Sequence, residues 1–160
     1  MTLDKFDLHL LHLLQQDSRM TLGALAEEVC LSISQCSRRI SRMEQEGVIQ
    51  GYPLNLSAPA LDLQITAFIF VSFEKKLMLS PAEAMAFLLT RDEVIDCHTI
   101  TGNYDFIVKV KVESMPALSH FLSRIVGSVE GIREIASHVV MDTLKENGPL
   151  HIRGYSNPED

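Results

Sequence analysis

The sequence predicts an α+β fold in two parts, a small helical unit followed by a four-stranded unit with helices. Three observations lead there. Apolar residues recur at helical spacing up to Met43 and then, from Ile65 onward, in strand-like runs broken by two further helical patterns. A stretch with Pro53, Pro59 and few periodic positions separates the two regimes. Finally, Ser32 to Met43 carries three arginines and no acid, in a chain with 14 Lys+Arg against 21 Asp+Glu and a net charge of −7.

In the first part, Asp4 is a candidate cap for a helix in which Phe6, Leu10, Leu13 and Leu14 share a face. Asp17-Ser18-Arg19 ends that pattern. Thr21 caps a second helix with Leu22, Leu25, Ala26 and Val29 at i, i+3, i+4 and i+7. The tripeptide Cys30-Leu31-Ser32 then forms a short turn. Ser32 followed by Gln35 reads as a capping box, opening a third helix that buries Ile33, Cys36, Ile40 and Met43 and stops at Gly47. At 100° per residue the opposite face holds Ser34, Gln35, Arg38, Ser41, Arg42 and Gln45. Short helix, tight turn and a helix bearing hydroxyl, amide and guanidinium groups make a helix-turn-helix suited to a DNA major groove. An arginine fork matches guanine, glutamine matches adenine, and serine near the helix start reaches phosphates or base edges. Ser32, Ser34, Gln35, Arg38, Arg39, Ser41 and Arg42 are therefore the candidate DNA-binding residues. Arg39 lies to one side, where it can bind a phosphate or pair with a nearby acid. Val48 to Tyr52 reads as the start of a two-stranded wing, set against DNA backbone or capping the helical core.

In the second part, Ile65 to Phe73 is a β-rich apolar run. Ser80-Pro81-Ala82-Glu83 reads as a capping box opening a helix through Ala84, Phe87 and Leu88. Val94–Thr101 and Phe106–Val112 read as strands about a tight turn, the second alternating Phe106, Val108, Val110 and Val112 against Ile107, Lys109 and Lys111. Leu118, Phe121, Leu122 and Ile125 mark a helix ending near Gly127, and Ile132 to Met141 a last strand. The order β-α-β-β-α-β is a ferredoxin-like unit, with one sheet face left to be covered, as in a dimer. The implied organisation is 1–52 helix-turn-helix, 53–63 linker, 64–144 ferredoxin-like domain and 145–160 tail, with Leu150 to Ile152 as a possible short strand.

Composition bounds the rest. With 46% apolar and 22% charged residues, the chain is an ordinary globular one rather than a disordered one. No apolar run reaches the roughly 18 residues of a membrane span, and Met1 to Asp4 has no signal-peptide character. Cys30, Cys36 and Cys97 cannot all pair and form no C-x-x-C, pointing to a reducing, cytoplasmic setting. Cys97 and His98 are adjacent on a strand and face opposite ways, and His9 and His12 lie on the first helix, so no metal or other cofactor is expected. The absence of G-x-S-x-G, a phosphate-binding glycine loop or H-E-x-x-H argues against hydrolytic or nucleotide-dependent catalysis, and no catalytic residue is assigned.

Taken together, Leu3-Asp4, Leu25-Ala26 to Val29, Leu31-Ser32, Arg38-Arg39-Ile40, Glu44 to Ile49 with Gly51-Tyr52, the loop Thr101-Gly102-Asn103-Tyr104-Asp105-Phe106, Gly131-Ile132 and Val139-Val140 are ordered and spaced as in a known family. Over nearly its whole length the chain resembles the leucine-responsive regulatory protein/AsnC family of bacterial and archaeal regulators. The resemblance implies a winged helix-turn-helix on double-stranded DNA, an amino-acid-sensing domain, and homodimers that often assemble into a ring of four. It also implies control of amino-acid metabolism or transport genes, with ligand altering dimer–dimer contacts and hence the spacing of DNA-reading heads. Cys30 departs from the family by replacing a turn glycine, and Ile33 and Gln35 by replacing common prolines.

For the amino-acid effector, Thr101, Gly102, Asn103, Tyr104 and Asp105 supply a hydroxyl, backbone N–H groups and a carboxylate acceptor. The resemblance places His138 on a strand that approaches the ligand. The plainer alternative is that Gly102-Asn103 is only a turn and Asp105 caps backbone. Some proteins resembling this family act instead as enzymes on haem precursors, using histidine and arginine. The polar face of the third helix has no use in such an enzyme.

Overall fold

Asp4 opens α1 (Lys5–Gln16) through its Oδ1, which accepts the N–H groups of Phe6 and Asp7 at 2.9 and 3.0 Å. Asp7 answers by accepting the Asp4 N–H at 3.0 Å, a capping box closed by an aspartate where glutamate or glutamine is usual. Two carboxylates at the helix start also complement its dipole. Thr21 caps α2 (Leu22–Glu28), and Ser32 caps α3 (Ile33–Gln45) with the expected Gln35 partner. At the far end of α3, Gly47 takes φ 71°, and the N–H groups of Gly47 and Val48 reach back to Glu44 and Met43 at 3.0 and 2.8 Å, a Schellman stop. Leu10, Leu25, Cys36 and Met43 lie at the centre of this helical core, with Leu13, Ala26, Val29 and Ile40 around them. The computed structural model describes residues 2–74 and 81–155.

Three expectations need correcting here. Ile33 is not buried but 56% exposed, because the first turn of α3 extends past the helices that cover Cys36 and Ile40. Among the described residues, Val48 to Tyr52 forms no strand. Among the described residues no extended segment pairs with it, and Pro53 next to it lacks an N–H. Tyr52 instead donates a 2.9 Å hydrogen bond to Glu44 Oε1, fastening the segment to the last turn of α3. Leu150 to Ile152 is not a strand either. The Gln15 side chain takes the role a neighbouring strand would have, donating to the Leu150 carbonyl at 3.2 Å and accepting the Leu150 N–H at 2.7 Å. The Tyr155 ring then stacks on His12 at 4.4 Å between centroids. Residues 1–55 and 145–160 thus form one unit, and residues 56–144 a second.

A 3-10 turn, Pro59–Leu61, opens the second unit, with Asp62 left-handed at φ 60°. The strands are β1 (Ile65–Phe73), β2 (Val94–Thr99), β3 (Phe106–Val112) and β4 (Ile132–Val139), and the helices α4 (Pro81–Leu89) and α5 (Met115–Ser128). They form one antiparallel sheet in the order β2-β3-β1-β4, the ferredoxin-like arrangement. β2 and β4 each stop two residues short of the expected end, and α5 runs one residue past Gly127. The expected cap Ser80, and the side chain of Ala84, lie outside the described residues. Strand alternation sends Ala67, Ile69, Val71, Phe106, Val108, Val110 and Val112 to one face, where Met85, Leu88, Leu118, Phe121 and Ile125 from the two helices close the core. The other face carries Phe68, Phe70, Ile107, Ala136 and His138, brought side by side by the register Phe68↔His138, Phe70↔Ala136 and Phe70↔Ile107.

Candidate functional site

Along α3 the candidate DNA-binding residues divide into two groups. Arg39 Nη1 donates to Asp4 Oδ2 and to Asp7 Oδ1, both at 2.8 Å, and its guanidinium sits over the Phe6 ring. Arg42 Nη2 donates to Asp7 Oδ2 at 2.7 Å. Asp7 is fully buried at 0% exposure, so two guanidinium groups of α3 are spent on one carboxylate of α1. Of the two roles expected for Arg39, the structure displays the pairing with a nearby acid. The hydrogen bonds that Arg39 donates to Asp7 and then to Asp4 raise its pKa above the ordinary value. Burial pushes the Asp4 carboxyl up, but the Asp7 N–H and the Arg39 guanidinium outweigh it and hold the group below its usual range.

Gln35 is also occupied, its Oε1 accepting the Ser32 N–H at 2.9 Å and the Ser32 hydroxyl at 2.9 Å. Ser34 shares a 3.1 Å hydrogen bond with Ser32. Arg38 and Ser41 are exposed, and Arg38 has no ion-pair partner among the described residues. Sequence reasoning missed Asp7, although a signal was present. Asp7 stands in the stripe Leu3, Asp7, Leu10, Leu14, all facing the helical core, and an acid on an apolar stripe needs a cation beside it. At the other end of α3, burial and then the Glu44 hydrogen bond push the Tyr52 phenol up to about 12. Cys30, in the turn before α3, adopts φ 53°, the left-handed conformation that glycine accepts without strain.

The loop Thr101–Asp105 is exposed apart from the half-buried Tyr104, and Gly102 takes φ 121°, a conformation open chiefly to glycine. Asp105 Oδ2 accepts the Phe73 N–H at 2.8 Å, while the Asp105 N–H donates to Val71 O at 2.9 Å. Asp105 therefore ties the loop to the end of β1 and keeps its second carboxylate oxygen for another donor. Beside it in the sheet, Ser72 Oγ is buried without a hydrogen-bond partner. The Tyr104 hydroxyl donates to Glu134 Oε1 at 3.1 Å, which raises the phenol pKa. Arg133 Nη2 donates to the Asn103 carbonyl at 3.3 Å. His138 is exposed on β4 opposite Phe68, and Phe70 links it to the loop, its ring lying 5.4 Å from both Tyr104 and His138. Ser72 and Phe68 are four residues apart on β1, about 13 Å at ~3.3 Å per residue, so Asp105 and His138 mark opposite ends of one patch. Phe70, Arg133 and Glu134 were missed because only the β1–β4 register reveals them.

The sequence model of the Lrp/AsnC ligand binding domain matches residues 66–150, and that of a winged helix-turn-helix DNA-binding domain matches residues 3–50. The DNA-binding transcriptional activator DecR of Escherichia coli K12 is 32% identical over 150 residues, covering 94% of this chain and 99% of DecR. The leucine-responsive regulatory protein of Salmonella typhimurium is 28% identical over 151 residues, covering 94% and 92%. Among solved structures, a transcriptional regulator of Neisseria meningitidis in complex with L-Met superposes with a TM-score of 0.86 at 33% identity, covering 95% of this chain and 98% of that one.

Proposed function

Because the chain belongs to the Lrp/AsnC family of DNA-binding transcriptional regulators, we propose that a free amino acid bound at the Thr101–Asp105 loop governs how α3 engages double-stranded DNA. The observation that carries the reading is the Asp105 carboxylate. One oxygen holds the loop on β1, and the other is available to an ammonium group. The loop backbone at Gly102 and Asn103, the Thr101 hydroxyl and the neighbouring Ser72 hydroxyl supply donors for a carboxylate. Tyr104, Phe70 and His138 offer the apolar and edge contacts a side chain would meet. The relative solved with L-Met is consistent with a ligand of this class.

On DNA, Ser34, Arg38 and Ser41 face the groove, with Ser32 and Gln35 organising the helix start and Arg39 and Arg42 anchored to α1. The sheet face with Phe68, Phe70 and Ile107 supports pairing with a second copy, and pairs assemble into the ring of four dimers that the sequence resemblance implies. The relatives are regulators rather than enzymes, and the haem-precursor alternative finds no support in them.

A thermal-shift screen against the twenty amino acids, followed by calorimetric titration, tests the sensor reading. A ligand at 100 times its Kd adds about 2.7 kcal/mol to the folded state. Asp105→Ala should abolish the shift while leaving DNA affinity without ligand intact. An undiminished response in that variant overturns the loop assignment.

A further inference from the structure

The ion pairs on α3 change which of its faces is free. Gln35, Arg39 and Arg42 are held by the helix cap and by α1. Ile33, Ser37 and Ser41 follow at four-residue spacing and form one stripe, with Ser34 and Arg38 as the stripe beside it. The surface available to a base edge is thus these two stripes, and its character differs from a cationic patch. It holds one guanidinium, small hydroxyls and, at the first helical position, an isoleucine that is 56% exposed.

An apolar side chain held in water on a groove-facing helix has one apolar group to meet in the major groove, the thymine 5-methyl. The position also fits, since recognition helices address base edges with their N-terminal residues. Ile33 is β-branched and stiff at χ1, so its methyl groups are already oriented by the helix. Arg38 lies just over one turn farther along, in the adjacent stripe, where it reaches a neighbouring base pair.

We propose that Ile33 is a specificity-determining residue that reads a thymine methyl group next to a guanine taken by Arg38. The inference rests on the reading that α3 enters the major groove. To test it, sites are selected from a random DNA pool with the full-length protein, and each thymine in the winner is then replaced singly by deoxyuridine, which lacks only the methyl. Burying one methyl corresponds to roughly a fourfold change in affinity. Wild type should lose about that factor at one thymine position, while Ile33→Ala should bind the two DNAs equally and Ile33→Val should retain part of the discrimination. Arg38→Ala should leave the methyl effect in place and lose the preference for the adjacent guanine. If no deoxyuridine costs affinity, or if the cost persists in Ile33→Ala, the proposal is overturned while DNA reading by α3 stands. A selection that enriches no sequence overturns both.

Discussion

Replacing Asp7 by asparagine removes one negative charge from a fully buried position, where it serves Arg39, Arg42 and the Asp4 N–H together. Two limits bracket the cost. Breaking a fully buried ion pair costs about 3–5 kcal/mol, whereas an exposed pair contributes about 0–1 kcal/mol. The carboxylate here is 0% exposed, but the Arg39 and Arg42 side chains are 21% and 46% exposed and regain water when released. Asparagine also keeps an acceptor oxygen for one of the three donors. The expected loss is therefore about 2 kcal/mol, between the limits.

For a unit of 60–100 residues, that loss lowers the melting point by roughly 8–16 °C. Urea unfolding of the variant, followed by far-ultraviolet circular dichroism, should move the midpoint of the helical transition without changing its slope. A double-mutant cycle with Arg39→Gln should recover a coupling of at least about 1 kcal/mol. An Asp7→Asn loss within about 0.5 kcal/mol of zero would refute the network as a structural element, and would return Arg39 and Arg42 to the set of DNA-binding candidates.

Other consequences follow from the same geometry. Arg38→Ala should weaken binding to a selected DNA site by about 1–3 kcal/mol in fluorescence anisotropy, with the melting point unchanged, because its guanidinium has no ion-pair partner among the described residues. Tyr52 is protonated and donating to Glu44 below its ordinary pKa near 10, and loses that proton only near 12. Its contribution to stability is present below about pH 10 and disappears between about pH 10 and 12, and Tyr52→Phe should remove the phenolate absorbance step near 12. Cys30→Gly should stabilise the fold by up to about 1 kcal/mol, read as a higher urea midpoint, the left-handed strain at φ 53° being partly offset by the greater freedom of glycine in the unfolded chain.

The helices, strands and sheet order were legible because their causes are local. Ser32 and Gln35 cap α3 through groups three residues apart, and β3 alternates residue by residue between core and open face. The Thr101–Asp105 loop was legible as a turn with a carboxylate, for the same reason. What was hidden depended on partners distant in sequence. Asp7 meets Arg39 and Arg42 across 32 and 35 positions, Gln15 meets Leu150 across 135, and Tyr104 meets Glu134 across 30. Periodicity locates the face a side chain occupies and is silent on which element crosses that face. Ile33 failed for a related reason, since a stripe predicts burial only as far along the helix as a neighbour extends.

This nonlocal pairing alters the electrostatic meaning of the acid-free segment on α3. Read as charge density, Arg38, Arg39 and Arg42 would bind phosphate broadly, and each contact would steepen the dependence on salt by about one unit. Asp4 and Asp7 neutralise two of the three from within the fold, leaving Arg38 as the one α3 guanidinium without an ion-pair partner among the described residues, in a protein whose net charge is −7. If α3 enters the groove as proposed, counterion release should be a small source of affinity and general attraction to DNA weak. On the proposed reading, discrimination should come from contacts that Arg38, the serines and Ile33 make at base edges, and from the number of heads that the proposed assembly applies to one DNA segment. A ligand that changes the assembly would consequently have strong leverage over binding, because no single head holds DNA firmly through charge alone.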